Sequence, residues 1–597
     1  MKFKIKKTIN KIFTDSERRK TVYIFSGILF MSLLEVIGVA SIAPFMSVVA
    51  TPEIIDTNIY LNQAYKALLF DNHEDFLFFL GFVVVVTIII SNGFSSFIFW
   101  KITCFSNMQG HRISMRLLKH YMSQPYVFFM NKNTSEMGKN LLSEVQRSIN
   151  GVVLPFLHAL SKAMVVIFIS LFLFILDPFL AISTLIIIGG VYLLVYMFYK
   201  EKLQRMGESS TEISYQRFKI ANEALSGIQD IKLHGGENEY LKRFSTPSRL
   251  FAKYNSNSAL ISTIPRFVIE GVAFIGIVFI VLYLLKSGEN EQNIIPLISL
   301  YAMASYRLMP ALQEIFQGIT KIKYNFPAME ILINDLESCT EVNSPTQDNN
   351  RQIFLNRTID LQSVSFKYPN SEHAVLTNIN LTIPSKRTIG LVGATGSGKT
   401  TLVNIIMGLI EVSDGALIVD DHRIQAEDLR SWRTNIGYVP QAIYLVDDTI
   451  EKNIAFAISN EEINYEKVVK AAKIAEIDKY ICSLEGGYQT IVGERGVRLS
   501  GGQRQRISIA RALYNDPDVL IMDEATSALD GVTESVVMNA IHNLSHKVTI
   551  IMIAHRLSTV KKCDQIHILE EGRVIGSGTY EELTRSSEYF KKMTLYS

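Results

Sequence analysis

Gly393-Ala394-Thr395-Gly396-Ser397-Gly398-Lys399-Thr400-Thr401 decides how this chain is read. It follows the strand-like run Ile389-Gly390-Leu391-Val392 and opens the helix-like Leu402-Val403-Asn404-Ile405-Ile406-Met407. That is the context in which GxxxxGK[ST] cradles nucleotide phosphates. Glycines let backbone N–H groups crowd round phosphate oxygens, and the following helix N-terminus adds positive potential. Lys399 then reaches the outer phosphates and the Thr400 hydroxyl ligates Mg²⁺.

Downstream, Val519-Leu520-Ile521-Met522-Asp523-Glu524 reads as a buried strand ending in two acids. Beside a phosphate loop this is what holds a metal ion and activates water next to a γ-phosphate, so Asp523 is assigned to the metal and Glu524 to the water as general base. A second anion-binding element is Leu499-Ser500-Gly501-Gly502-Gln503, small residues leading into the helical Arg504-Gln505-Arg506-Ile507. Short apolar runs alternate with helical patterns throughout this half, which argues for an α/β domain with a largely parallel sheet. Before it, residues 337–352 are polar, contain Pro345 and lack periodicity.

The first half is different. Residues 76–100 and 178–199 are free of charge and long enough to span a bilayer, which takes about 20 apolar residues. Further runs at 22–50, 152–176, 264–285 and 292–313 are broken only by Glu35, Lys162, Arg266, Glu270 and Arg307, giving six spans. The first run is too long for a cleaved signal and is followed by the others. Lys and Arg crowd residues 1–20, 101–150 and 200–256, whereas the alternate loops hold Lys66 and Lys286, so both termini are expected in the cytoplasm. The two basic loops are too long for turns, and helices are expected to run through them. Leu61, Ala64, Tyr65 and Leu68 fall on one helix face, consistent with a short helix on the outer surface.

The boundaries expected are a basic segment at 1–20, an all-α six-helix transmembrane domain at 21–325, a linker at 326–352 and an α/β ATP-binding domain at 353–597. With Lys+Arg 59 against Asp+Glu 57 and a net charge of +2, the composition carries no basic excess that points to nucleic acid. The cysteines Cys104, Cys339, Cys482 and Cys563 lack metal-ligand spacing and read as free thiols.

Leu499 to Gln503 resembles the signature of the ATP-binding cassette (ABC) family. Its other elements follow in the family's order: Tyr368 after Phe366-Lys367, Gln441 after Tyr438-Val439-Pro440, Gly493-Glu494-Arg495-Gly496, Ser527-Ala528-Leu529-Asp530, and Ala554-His555-Arg556-Leu557-Ser558. The resemblance covers 355–597 with full motifs and 20–325 with a six-span exporter layout. It implies that Tyr368 stacks on adenine, that Gln441 senses Mg²⁺ and the membrane domain, and that His555 contacts the γ-phosphate. It further implies that Ser500 and Gly502 serve the ATP of an opposed subunit, so a homodimer with two equivalent sites is expected. Coupling helices are expected near 125–138 and 227–235. The stretch from Ala442 to Ile450 departs from the commoner exporter pattern.

Charged residues in spans cost about 2.5–3.5 kcal/mol each and tend to mark a pathway. Arg266 and Glu270 stand one turn apart and either pair or part; Arg266 with Arg307 would line a cavity suited to phosphate or pyrophosphate. Ile264-Pro265-Arg266-Phe267-Val268-Ile269-Glu270-Gly271 and Tyr306-Arg307-Leu308-Met309-Pro310-Ala311 resemble the fifth and sixth spans of bacterial lipid-linked oligosaccharide flippases. By that resemblance the chain is an inner-membrane exporter turning a polyprenyl-pyrophosphate-linked oligosaccharide outward at the cost of ATP. The alternatives are an exporter of amphipathic drugs or lipids and an ATP-gated regulatory subunit. Peptide export is disfavoured because no N-terminal peptidase domain is present, and a soluble nucleic-acid ATPase is excluded by the spans.

Overall fold

The computed structural model describes residues 15–595 except 177, 287–290, 338–352, 370, 525–530, 543, 545–546 and 555–556. The chain divides into two compact units, Met1–Gln124 with Asn131–Val342, and Pro125–Met130 with Asn343–Ser597.

The first unit is helical. Three helical stretches, Arg19–Ala50, His73–Ser123 and Thr134–Leu176, are long and apolar enough to cross a membrane. The remaining apolar runs lie in Pro178–Ser226, Glu237–Lys286 and Glu291–Glu337. His73–Ser123 has 51 residues and Glu237–Lys286 has 50. At 1.5 Å per residue such helices measure about 75 Å, more than twice a bilayer core, so they extend well past their apolar runs. Short helices stand where the coupling segments were expected, at Tyr126–Asn131, Thr134–Lys139 and Ile228–His234. The loop after the first span carries the helix Ile59–Ala67, capped by Asn58, whose side chain accepts the N–H groups of Tyr60 and Leu61. Its Leu61, Ala64 and Tyr65 pack toward Val48, Ile55 and Phe76, the face the spacing marked, whereas Leu68 is exposed.

One boundary differs from the sequence reading. The last helix does not stop near 325 but continues to Glu337, because Tyr324, Ala328, Met329 and Leu332 keep an apolar face buried past that point. Residues 326–337 therefore belong to the helical unit rather than to a linker.

Among the described residues, the second unit holds ten strands. Thr358–Phe366 (β1), Leu376–Pro384 (β2), Asp414–Val419 (β4) and His422–Arg423 (β5) form an antiparallel sheet in the order β2-β1-β4-β5. Thr388–Val392 (β3), Ile436–Val439 (β6), Val519–Asp523 (β7), Thr549–Ile553 (β8), Gln565–Glu570 (β9) and Arg573–Gly578 (β10) form the other, in the order β10-β9-β3-β8-β7-β6. β9, β3, β8, β7 and β6 run parallel and only β10 is antiparallel. β3, β7 and β8 are buried at every residue, which is why they read as continuous apolar runs rather than alternating ones. The carboxyl ends of β3 and β7 stand in this parallel sheet with β8 between them, and ligands of open α/β sheets bind beyond such ends. Val127, from the segment Pro125–Met130, packs against the core of this unit.

Candidate nucleotide site and the membrane charges

The chain leaves β3 through Gly393, where a Cβ would come within 2.2 Å of the Leu569 carbonyl oxygen, so no other residue fits that turn. Gly396 (φ +82°) and Gly398 (φ +101°) adopt left-handed backbone. Ala394, Thr395 and Gly396 are exposed, Ser397, Gly398 and Lys399 are buried, and Thr400 is exposed at the N-terminus of the helix Lys399–Ile406. Lys399 Nζ donates to the carbonyls of Gly393 (2.8 Å) and Ala394 (2.9 Å), curling over the loop it must vacate for a phosphate. Burial pulls its pKa below the ordinary lysine value, with the charges of Glu524 and Asp523 acting in the opposite sense. Ser397 Oγ is buried without a hydrogen-bond partner. A buried cation with acids nearby, an unmatched hydroxyl and an open glycine turn together fit a polyphosphate.

Asp523 ends β7 and is buried, while Glu524 follows with φ +49°, a left-handed conformation that costs a non-glycine residue about 1–3 kcal/mol. The bond from Glu524 N–H to the Ile553 carbonyl (3.1 Å) holds it there. Its Oε2 accepts Gln441 Nε2 at 2.7 Å, so the two residues named from separate motifs meet side chain to side chain. Thr400, Asp523 and Gln441 offer a hydroxyl, a carboxylate and an amide oxygen, the hard donors that suit Mg²⁺. Tyr438, on β6, has its phenol pKa raised by burial and by Asp523.

Tyr368 stacks edge-on against Phe366 (centroids 4.9 Å), and its hydroxyl lies 3.2 Å from Thr401 Oγ1. Ser500 caps the helix Gly501–Leu513 in a full capping box: its Oγ accepts Gln503 N–H (3.3 Å) and Gln503 Oε1 accepts Ser500 N–H (2.8 Å). Gln503 is thereby tied to the cap, while Gly501 and Gly502 open the helix. Arg511, near the end of that helix, donates to the carbonyls of Asn453 (2.7 Å) and Tyr444 (2.8 Å), and burial pulls its pKa down to about 10. These bonds fasten the signature helix to the stretch after Gln441. His555, Arg556 and Ser527 to Asp530 lie outside the described residues.

Two contributors went unmarked in the sequence. Tyr589 Oη accepts the Ala394 N–H at 3.2 Å, and Gly572 (φ +73°) donates its N–H to the Ser397 carbonyl at 3.2 Å. Neither sits in a recognisable motif, and only the return of the chain brings them to the loop.

In the helical unit, Arg266 Nε donates to Glu270 Oε1 at 2.5 Å, so these two pair along one helix. Arg307 donates to Asn92 Oδ1 at 3.2 Å, across to the helix His73–Ser123. Among the described residues, no group of three or more His, Cys, Asp or Glu side chains is placed to hold a metal ion.

A helical membrane unit joined to a phosphate-loop domain on a parallel sheet defines a membrane-embedded ATPase. Residues 6–308 match the family model for the ABC transporter transmembrane region and residues 376–527 the model for the ABC transporter. The chain belongs to the ABC transporter family, as an exporter half-transporter that binds ATP and couples its hydrolysis to transport. It is 30% identical over 509 residues to the ATP-dependent lipid A-core flippase of Salmonella paratyphi A, covering 84% of this chain and 85% of that protein. The flippase of the same description from Escherichia coli O6:K15:H31 is 28% identical over the same shares. In fold, the chain matches a bacterial Atm1-family ABC exporter with ATP bound, at a TM-score of 0.77, 21% identity, and 97% and 98% coverage of the two chains.

Proposed function

We propose that the chain flips an anionic glycolipid, specifically a polyprenyl-pyrophosphate-linked oligosaccharide, from the inner to the outer leaflet of the cytoplasmic membrane. The observation that carries the reading is the placing of Arg266 and Arg307 in apolar runs whose one other charge is Glu270, the partner of Arg266. A guanidinium in that setting is costly and suits bidentate recognition of phosphate. A homodimer supplies four such arginines. The polyprenyl tail stays in lipid while the protein shields the charged head, whose unassisted passage is prohibitive.

Lys399, the loop amides and Ser397 hold the β- and γ-phosphates, and Tyr368 stacks on the base. Thr400, Asp523 and Gln441 would hold Mg²⁺, which would supply neutralisation of phosphate charge. Glu524 takes a proton from the attacking water, Gln441 orients Glu524, and His555 contacts the γ-phosphate. Ser500 and Gly502 complete the site of a second copy of the chain. The helices Tyr126–Asn131 and Ile228–His234 carry closure of the cassettes to the membrane helices. Both termini lie in the cytoplasm, by the distribution of Lys and Arg.

A second reading, a glycolipid of the lipid A-core kind, is favoured by the named relatives. Proteoliposomes carrying either fluorescent glycolipid, with Glu524→Gln as control, separate the two. ATP-dependent loss of the polyprenyl-linked lipid from one leaflet supports the first. Loss of the lipid A-core lipid alone supports the second, and ATP consumption without movement of either sinks both.

A further inference from the structure

The helical stretch Thr134–Leu176 leaves α geometry twice, in the π-turns Asn140–Glu144 and Ile149–Val153. There Val145 N–H bonds to the Asn140 carbonyl and Leu154 N–H to the Ile149 carbonyl, five residues back rather than four. Such a turn holds one residue more than an α-turn and occurs frequently at functional sites. Glu144, the last residue of the first π-turn, is fully buried, and neither of its carboxylate oxygens makes a hydrogen bond. Two cations flank it on its own helix instead, Lys139 Nζ at 3.4 Å from Oε1 and Arg147 Nη1 at 3.8 Å from Oε2. In the same stretch Asn140 Oδ1 and Ser148 Oγ are also buried without a hydrogen bond. A buried charge with its hydrogen bonds unmade is costly, and a rigid helix would close one of the two pairs.

Both ends of this stretch are fastened while its middle is not. Upstream, Asn140 Nδ2 donates to Asp335 Oδ2 at 3.0 Å, and the same oxygen accepts the Tyr121 hydroxyl at 2.6 Å. Downstream, Arg147 donates from Nε to Asn325 Oδ1 at 2.9 Å and from Nη1 to Thr211 Oγ1 at 3.2 Å. It thereby ties this helix to Glu291–Glu337 and to Pro178–Ser226. Those two helices meet backbone to backbone, since a Cβ on Gly207 would overlap the Tyr324 carbonyl oxygen. Gly151, in the second π-turn, leaves room for the Asn325 side chain that takes Arg147. The chain comes to this stretch from Pro125–Met130, a segment of the ATP-binding unit, and leaves it into the apolar run 152–176. Along the backbone, a movement of that segment reaches the membrane span only through the π-turns.

Helix geometry gives Glu144 two pairings. In an α-helix residues five apart stand about 140° apart round the axis, so Lys139 meets Glu144 because the π-turn brings fifth neighbours toward one face. Arg147, three residues on, shares the face of Glu144 in α geometry. We propose that Glu144 is the positioning residue of a two-state joint that couples the ATP-binding unit to the membrane helices. With the π-turn at Asn140–Glu144 its carboxylate answers to Lys139. When the extra residue slips out of that turn the carboxylate passes to Arg147, and the helix before the joint twists relative to the helix after it. The inference rests on ATP-coupled transport and not on which lipid is carried.

Amide hydrogen exchange over residues 140–153, in the full chain in phosphatidylcholine nanodiscs with and without a non-hydrolysable ATP analogue, reads the joint without reference to the cargo. The wild type is expected to change its exchange there when nucleotide binds. Two variants arrest the joint in opposite states. Deleting Leu142, whose side chain is 75% exposed, removes the extra residue, so Lys139 and Glu144 come to stand four apart, the spacing at which an α-helix pairs them. Lys139→Gln leaves Arg147 as the cation beside Glu144, so no buried charge is stranded. In both, ATP hydrolysis is expected to continue while the nucleotide-dependent change in exchange is lost, and Lys139→Arg is expected to keep it. Persistence of the change in either arrested variant, its absence from the wild type, or its loss in Lys139→Arg overturns the proposal. Loss of hydrolysis together with the exchange response also overturns it, since that is what a purely structural contact gives. Failure of the wild-type chain to flip any glycolipid would sink the flippase reading and leave these exchange results standing.

Discussion

Gln441 Nε2 donates a 2.7 Å hydrogen bond to Glu524 Oε2, joining side chains that belong to different motifs and different strand ends. The bond gives Glu524, already held at φ +49°, a fixed carboxylate direction. Replacing the carboxylate by an amide keeps the shape and removes the base, so Glu524→Gln is expected to retain ATP binding while hydrolysis falls by about 10²–10⁴-fold, the usual worth of a positioned base. Phosphate release and nucleotide binding measured on the same preparation check this, and undiminished hydrolysis would refute the assignment.

Gln441→Ala removes the orienting amide but leaves the base. A hydrogen bond to a charged group is worth about 1.5–3 kcal/mol, so turnover is expected to fall by about 10- to 100-fold, less than in Glu524→Gln. The Kd for ATP without Mg²⁺ should stay unchanged, because the bond does not touch the phosphates. A fall in turnover as deep as that of Glu524→Gln would mean that Gln441 does more than orient.

Gly572 lies behind the phosphate loop, donating to Ser397 and accepting Thr377 N–H at 2.9 Å. A Cβ there would meet the Val375 carbonyl oxygen at 2.3 Å, and φ is +73°. Gly572→Ala should therefore displace the loop from behind, costing about 1–3 kcal/mol and weakening ATP binding although the residue lies outside every nucleotide motif. Thermal unfolding with and without ATP tests it; an unchanged midpoint and Kd would show that the loop absorbs the methyl group.

What the sequence discloses and what it hides divide along the range of the interactions. The phosphate loop is legible because its chemistry lies in consecutive residues: glycines at the turn, Lys399 and Thr400 opening the helix. Long apolar runs are legible because a bilayer demands length. The Gln441 to Glu524 bond, the Tyr589 contact and the bond from Arg307 to Asn92 are not, since each depends on how strands or helices are turned toward one another. The continuation of the last helix as far as Glu337 was readable in principle from Tyr324, Ala328 and Leu332 at helical spacing, but the polar residues that follow in the sequence obscured the pattern. The pairing of Arg266 with Glu270 was one of two arrangements the spacing allowed.

That pairing shapes the test of the membrane arginines. If the proposed headgroup competes with Glu270 for Arg266, then Glu270→Gln should raise affinity for a pyrophosphate lipid and Arg266→Gln should lower it. Arg307→Gln should also lower it, by about tenfold or more for a lost charged contact. Binding of farnesyl pyrophosphate to each variant, with farnesol as control, reads this directly. Tolerance of both arginine changes would return the chain to the class of exporters for uncharged amphiphiles.

His567 gives the nucleotide-binding unit a built-in acid limit. It lies on β9, 3% exposed, with Nδ1 2.7 Å from Ser577 Oγ and Nε2 without a partner. Burial lowers its pKa from 6.5 to about 4, so the folded unit keeps the ring neutral where the unfolded chain takes up a proton. The unfolded state therefore binds more protons between about pH 4 and 6.5, and stability falls as pH falls through that window. The contribution is complete above the unfolded value and amounts to about 2–4 kcal/mol, taking 1.36 kcal/mol per unit. His567→Asn cannot take up that proton, so its unfolding midpoint should vary less between pH 7 and 4.5 than that of the wild type. Thermal unfolding of the full chain in detergent across that range, followed in the nucleotide-binding unit, decides it: parallel curves for the two proteins would mean that other groups set the acid limit.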